Sequence, residues 1–187
     1  MSALRLLLLI LFALAPSTGA TATGTAVSET GEIRFVARYE ALPLDGVFKR
    51  FRVEMTVDRA TDEPRALRVV VATGSADMND RDVNAELKTP AFFAAERFPE
   101  AVFSSPQIRR EPDGSYVATG TLELKGASRP LTVPFRLSAS TSGRELSGEV
   151  TVSRLDWNVG QGEWAATDRI AAAVEIRFRI EFAGEAP

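Results

Sequence analysis

Across most of its 187 residues the chain repeats one pattern, apolar and polar residues alternating with a period of two. The final stretch is the clearest. Ala172, Val174, Ile176, Phe178, Ile180 and Phe182 fall on one side, and Glu175, Arg177, Arg179 and Glu181 on the other. Successive strand side chains point to opposite faces, so such a segment has one wet face and one that packs or lines a hollow. The alternation predicts strands over residues 31–40, 47–58, 65–76, 101–110, 115–125, 130–141, 144–153 and 172–183. Eight strands suit a small closed barrel. Turn signals at Glu111-Pro112-Asp113-Gly114, Gly126 to Pro130 and Ser142-Gly143 are short, which makes the strands they join antiparallel neighbours. Pro134 falls inside a strand pattern and is expected at a bulge, a rim or an edge, where its missing N–H has no partner to serve.

Arg5 is followed by an apolar run from Leu6 to Ala15 and then by small residues through Ala22. The run is about half of what a membrane-spanning helix requires, so residues 1–22 are expected to be a secretory signal peptide, cleaved after Ala20 or Ala22. Residues 23–187 then form one β-barrel domain, large enough to enclose a core. Export through such a leader implies the periplasm. The sequence contains no Cys, so disulfides cannot hold the fold, and no His, so the common Ser-His-Asp and Cys-His catalytic arrangements are impossible. With 22 Lys and Arg against 25 Asp and Glu, and no basic cluster, nucleic acid is an unsuitable partner.

Two long connections interrupt the strands. From Asp77 to about Pro99, Asp80 or Asp82 is placed to cap a short helix over Val83 to Lys88, and Thr89-Pro90 to start a second turn over Ala91 to Glu96. Phe92, Phe93 and Phe98 are its apolar face, serving as a lid packed on the barrel, as ligand contacts, or both. Asp77, Asn79, Asp80 and Asp82 faintly suggest a calcium loop but lack its glycine and bidentate Glu, so capping and solvation account for them better. The second connection, Ser153 to Ala171, holds both tryptophans, Trp157 and Trp164. They are expected to close one barrel mouth or to rim it for an apolar ligand.

Inward candidates such as Phe35, Met55, Val69, Phe103, Leu122, Phe135, Ile176 and Phe178 are interspersed with Ala37, Ala101, Ala118, Gly120 and Gly148. The five small residues could open a channel, or could relieve crowding at barrel corners. A hollow without inward charge offers mainly dispersion and exclusion of water, which suits a hydrocarbon chain.

Several separated blocks carry a more specific signal. They are Pro43-Leu44-Asp45-Gly46-Val47-Phe48, Asp80-Arg81-Asp82 with Thr89-Pro90-Ala91-Phe92-Phe93, Gly120-Thr121-Leu122-Glu123-Leu124-Lys125-Gly126, and Arg154-Leu155-Asp156-Trp157 leading into Gly160-Gln161-Gly162-Glu163-Trp164. In this order they resemble the YceI-like family of exported, polyisoprenoid-binding proteins, over nearly all of the chain beyond residue 22. The resemblance implies a lipocalin-like barrel holding an isoprenoid chain, such as a quinone tail. Tyr39 stands where many relatives carry another polar side chain, so head-group specificity does not carry over.

The residues expected at the wall or mouth of the pocket are Phe35, Tyr39, Met55, Phe92, Phe93, Phe103, Phe135, Trp157 and Phe178. The expected function is non-catalytic binding or carriage of an isoprenoid or similar apolar lipid, with no other cofactor and no metal. A homodimer is left open. The alternatives are an exported stress-related or protein-interaction module whose barrel is filled by its own side chains, and a carboxylate-dependent hydrolase.

Overall fold

The computed structural model describes residues 22–184; the expected signal peptide, apart from Ala22, lies outside them. The chain folds into eleven antiparallel strands: β1 (Thr23–Ser28), β2 (Gly31–Tyr39), β3 (Leu42–Phe48), β4 (Phe51–Asp58), β5 (Pro64–Ala72), β6 (Ala76–Asp77), β7 (Glu100–Arg110), β8 (Tyr116–Leu124), β9 (Ala127–Ser140), β10 (Gly143–Ser153) and β11 (Ala173–Ala183). Eight were expected, and β1, β3 and β6 are the additions. They lengthen staves of the barrel without increasing their number. β1 and β2 are two halves of one bent stave, β3 and β4 of the next. The two staves keep a single register from Tyr39↔Leu42 to Thr23↔Asp58 on both sides of the bend. The strand expected over 47–58 is therefore broken at Lys49-Arg50. β6 extends β5 beyond a 3-10 turn at Thr73–Ser75 and pairs with β3.

The remaining strands follow as a meander, and β11 returns to β2 from Glu175↔Val36 to Ile180↔Gly31, closing the ring. At the bend the Ser28 hydroxyl donates to the Glu181 carbonyl at 2.5 Å, and the Glu181 N–H donates to the Thr30 carbonyl at 3.0 Å. These bonds fasten the kink to β11 where the ladder is interrupted.

One ladder is incomplete. β9 and β10 pair only from Ser140↔Gly143 to Arg136↔Ser147, after which β9 continues against β8 alone and β10 against β11 alone. Pro134 marks the place where they part. Its carbonyl faces β10, so close to Gly148 that a Cβ there would lie 2.5 Å away. A strand residue directs its N–H and C=O to the same neighbour, so Pro134, and Pro130 four residues earlier, both lack the donor that β10 would need.

The interior divides into two clusters. Val53, Met55, Leu67, Phe103, Tyr116, Phe135, Leu146 and Phe182 belong to the first, which fills the end of the barrel where short turns join β7 to β8 and β9 to β10. There the Tyr116 ring stacks on Phe135 with centroids 5.4 Å apart, and its hydroxyl donates to Glu63 at 2.9 Å. Burial, reinforced by Glu63, raises the phenol above its ordinary pKa. The second cluster, with Phe35, Leu87, Phe93, Trp157 and Val159, stops the opposite end.

Two connections build that stopper. The lid, residues 78–98, contains helix α1 (Arg81–Glu86), whose cap is Asp80: its carboxylate accepts from the N–H groups of Asp82 at 2.9 Å and Val83 at 3.0 Å. The helix thus begins two residues earlier than expected and ends before Lys88. Over Ala91 to Glu96 the chain runs in tight turns, with the Phe93 N–H donating to the Leu87 carbonyl and the Ala94 N–H to that of Thr89. Thr73 fastens the lid's far end through its hydroxyl to the Phe98 carbonyl at 2.8 Å. The strap, residues 154–171, carries two 3-10 turns, Arg154–Trp157 and Gly162–Trp164.

Candidate ligand-binding cavity

Between the two clusters lies a cavity of about 470 Å³. Period-two alternation directs Val53, Leu67, Val69, Val71, Phe103, Leu122, Leu131, Val133, Ile176 and Phe178 into it from six staves. Phe35, Phe48, Phe93 and Trp157 roof it. Phe48 lies between its neighbours, with ring centroids 5.1 Å from Phe35 and 5.9 Å from Phe93, both tilted. The mouth is rimmed by Tyr39 and Leu44 of the first hairpin, Val83 and Glu86 of α1, and Trp164 and Ile170 of the strap. Leu44 and Val83 are each 38% exposed, marking where the hollow meets solvent.

The stopper is held by polar bonds more than by bulk. Arg154, 5% exposed, has no carboxylate partner among the described residues; all five of its N–H donors go to main-chain carbonyls of the strap. Nε donates to Ala171 at 3.1 Å, one terminal nitrogen to Val159 and Gly160 at 2.9 Å each, and the other to Trp164 and Ile170 at 2.8 Å each. Burial pulls the guanidinium below its ordinary pKa. Gly160 permits the clasp: its φ is +73°, and a Cβ there would stand 2.3 Å from the guanidinium. Lys125 ties lid to strap, its ammonium donating to the carbonyls of Ala91 at 3.2 Å and Asn158 at 2.5 Å. Trp157 is 3% exposed and its indole N–H donates to the Leu122 carbonyl at 3.1 Å. The Trp164 indole N–H donates to Glu86 at 3.1 Å, and its ring lies 5.8 Å from that of Phe92.

Of the nine residues expected at the wall or mouth, the structure brings Phe35, Tyr39, Phe92, Phe93, Phe103, Trp157 and Phe178 around one hollow. Met55 and Phe135 lie elsewhere: they are 1% and 2% exposed within the packed end, where facing side chains leave no room. Of the five small residues, Ala37 and Ala101 line the cavity. Ala118 is sealed in the packed end. Gly120 faces the β7 bulge, where a Cβ would come 2.1 Å from the Ser104 carbonyl, and Gly148 sits against Pro134. Those three answer to crowding, and the hollow owes little to small side chains.

Sequence reasoning missed Leu44, Phe48, Glu86 and Arg154. The first two alternate across Gly46 in the required period, but Pro43 and Asp45 disguise the strand. A lone Arg or Glu in a connection carries no periodic signal at all.

The acidic loop does not assemble a cation site. Asp77 pairs with Lys49 and accepts from the Asn84 amide at 2.6 Å and the Asn79 N–H at 2.9 Å, which holds its carboxyl down to about 2, Lys49 contributing most. Asp80 is occupied as the helix cap. No group of three or more metal-binding side chains occurs among the described residues.

A family model described as the YceI-like domain matches residues 25–182. The protein YceI of Salmonella arizonae is 28% identical over 149 residues, which cover 75% of this chain and 73% of that one. Among solved structures, BcnA of Burkholderia cenocepacia superimposes with a TM-score of 0.75 at 27% identity, covering 80% of this chain and 94% of its own. A polyisoprenoid-binding domain of Saccharophagus degradans, implicated in plant cell wall breakdown, shares the fold with a TM-score of 0.64 at 11% identity, over 86% of this chain and 98% of that one.

Proposed function

This chain belongs to the YceI-like family, and we propose that it binds an isoprenoid or similar long-chain apolar lipid inside its barrel, without catalysis, in the periplasm. The observation that carries the reading is the cavity: about 470 Å³ within the size range of ligand pockets, walled from six staves by aliphatic and aromatic side chains. The likeness to a polyisoprenoid-binding domain supports the ligand class. The periplasm rests on the apolar leader-like segment of residues 6–15 followed by small residues.

Dispersion and exclusion of water are what such a wall supplies. Burying one methylene contributes roughly 0.8 kcal/mol against water, so two or three isoprene units reach an upper bound of about 10 kcal/mol before ordering costs. Against a bilayer the gain nearly vanishes, since lipid tails are as apolar as the pocket. The design therefore suits carriage across water, or sequestration, and not extraction for its own sake.

The test is organic extraction of protein purified without delipidation, followed by mass spectrometry. A prenyl or comparable long-chain species recovered in near-stoichiometric amount is the expected result. Protein that is empty from several expression hosts, and that takes up no such chain when offered one, would overturn the proposal.

A further inference from the structure

The mouth of the cavity has an electrostatic bias. Glu86, the last residue of α1, lines the hollow beside Trp164. One of its carboxylate oxygens accepts the Trp164 indole N–H at 3.1 Å and the Thr89 hydroxyl at 3.5 Å, and among the described residues no donor meets the other. No ion pair among the described residues includes Glu86. Among the described residues Arg154 is the single cationic side chain lining the cavity, and its donors are all taken by main-chain carbonyls. Tyr39, on the β2–β3 hairpin, lines the same cavity.

We propose that Glu86 sets the head-group preference of the cavity: it admits a neutral chain lipid whose head group donates a hydrogen bond, such as a prenyl alcohol, and disfavours the phosphorylated form of the same chain. A hydroxyl finds an acceptor in the free Glu86 oxygen, a donor or acceptor in Tyr39, and no repulsion. A phosphate brings like charge next to a carboxylate that has no ion-pair partner among the described residues, on a wall of low polarity where such repulsion is poorly screened. This inference rests on the lipid-binding reading above and deepens it.

The experiment uses displacement of N-phenyl-1-naphthylamine fluorescence from the purified protein by farnesol or farnesyl phosphate, each below its aggregation concentration. In Glu86→Gln the Gln carbonyl still accepts the Trp164 N–H, so the rim keeps its shape while the charged free oxygen is replaced by a neutral amide NH2. Farnesyl phosphate should bind about tenfold tighter to Glu86→Gln than to the parent, while farnesol, whose acceptor is replaced by an amide donor, should bind no tighter. The parent's discrimination should shrink on raising salt to about 0.5 M, whereas farnesol binding should not weaken. Glu86→Lys should reverse the preference. An alcohol-to-phosphate affinity ratio that is the same in the parent, Glu86→Gln and Glu86→Lys would overturn the inference while leaving the cavity reading intact. Failure of both compounds to displace the probe from the parent would overturn the cavity reading and this inference with it.

Discussion

The two ends of the barrel hold aromatic side chains of similar size and use them differently. At the packed end Tyr116 and Phe135 stack directly, and Met55, Leu146 and Phe182 interdigitate with them between short hairpins. At the mouth Phe35, Phe48, Phe93 and Trp157 are equally large but are carried on, or braced by, long connections that span the opening. What separates them is anchorage. Residues on paired strands meet across the barrel axis and fill it, whereas residues on the lid and strap are held off the axis by main-chain bonds to Arg154, Lys125 and Thr73. The hollow survives between a floor that is packed and a roof that is hung.

The sharpest way to break this contrast is substitution at each end with two readouts. Phe135→Ala should cost about 3–5 kcal/mol in chemical denaturation, because it opens a void in close-packed surroundings. Its affinity for a fluorescent apolar probe should stay within about twofold, since the ring does not face the cavity. A large loss of affinity at unchanged stability would erase the distinction between the ends. Arg154→Met should lower stability by about 3 kcal/mol, as five main-chain carbonyls lose their donors, and should also weaken probe binding as the strap loosens. If denaturation midpoints barely move, the roof is not hung from Arg154.

Cavity filling should act in the opposite direction. Ala101→Phe places bulk into the hollow and should stabilise the empty protein by about 0.5–2 kcal/mol while reducing probe affinity more than tenfold. The same change at Ala118, already fully buried in the packed end, should destabilise by overpacking, about 1–3 kcal/mol. Equal effects at the two alanines would contradict the contrast.

Smaller effects concern the fastenings. Supplying the missing donors with Pro130→Thr and Pro134→Thr should raise hydrogen-exchange protection over residues 148–153 as β9 and β10 zip together, with less than about 1 kcal/mol of net stability change. Smallest is the acid response of the lid. The Asp77 carboxyl is held at about 2, from an ordinary 3.8, chiefly by Lys49. Its folded pKa is depressed, so its contribution is fully present above about pH 4 and is lost as pH falls towards 2. Asp77→Asn should flatten that part of the stability profile, and an unchanged profile would show that the lid is not fastened there.

The sequence revealed the barrel because β2 and β11 bury one face and wet the other without interruption, and register is strongly specified wherever that holds. β3 was hidden because its turn, Glu40-Ala41, adopts positive φ without glycine, and because Pro43 and Asp45 read as loop. β1 was hidden by small and polar residues, Thr23-Gly24-Thr25-Ala26. In the cavity, Phe35, Phe103 and Phe178 were legible from alternation alone. Met55 and Phe135 alternate equally well, and no period distinguishes a residue near the floor from one beside the hollow, since that depends on how far along the axis a facing stave places its own bulk. Arg154 and Glu86 were invisible because their roles come from what the folded strap and helix bring to them.

The most direct test of the central claim is an experimental structure of protein purified without delipidation. The account predicts elongated density in the space bounded by Val69, Phe103, Ile176 and Phe178, running towards the rim at Tyr39 and Glu86. A barrel in which lid and strap have dropped inward, so that Phe93 and Trp157 fill that space themselves, would contradict it.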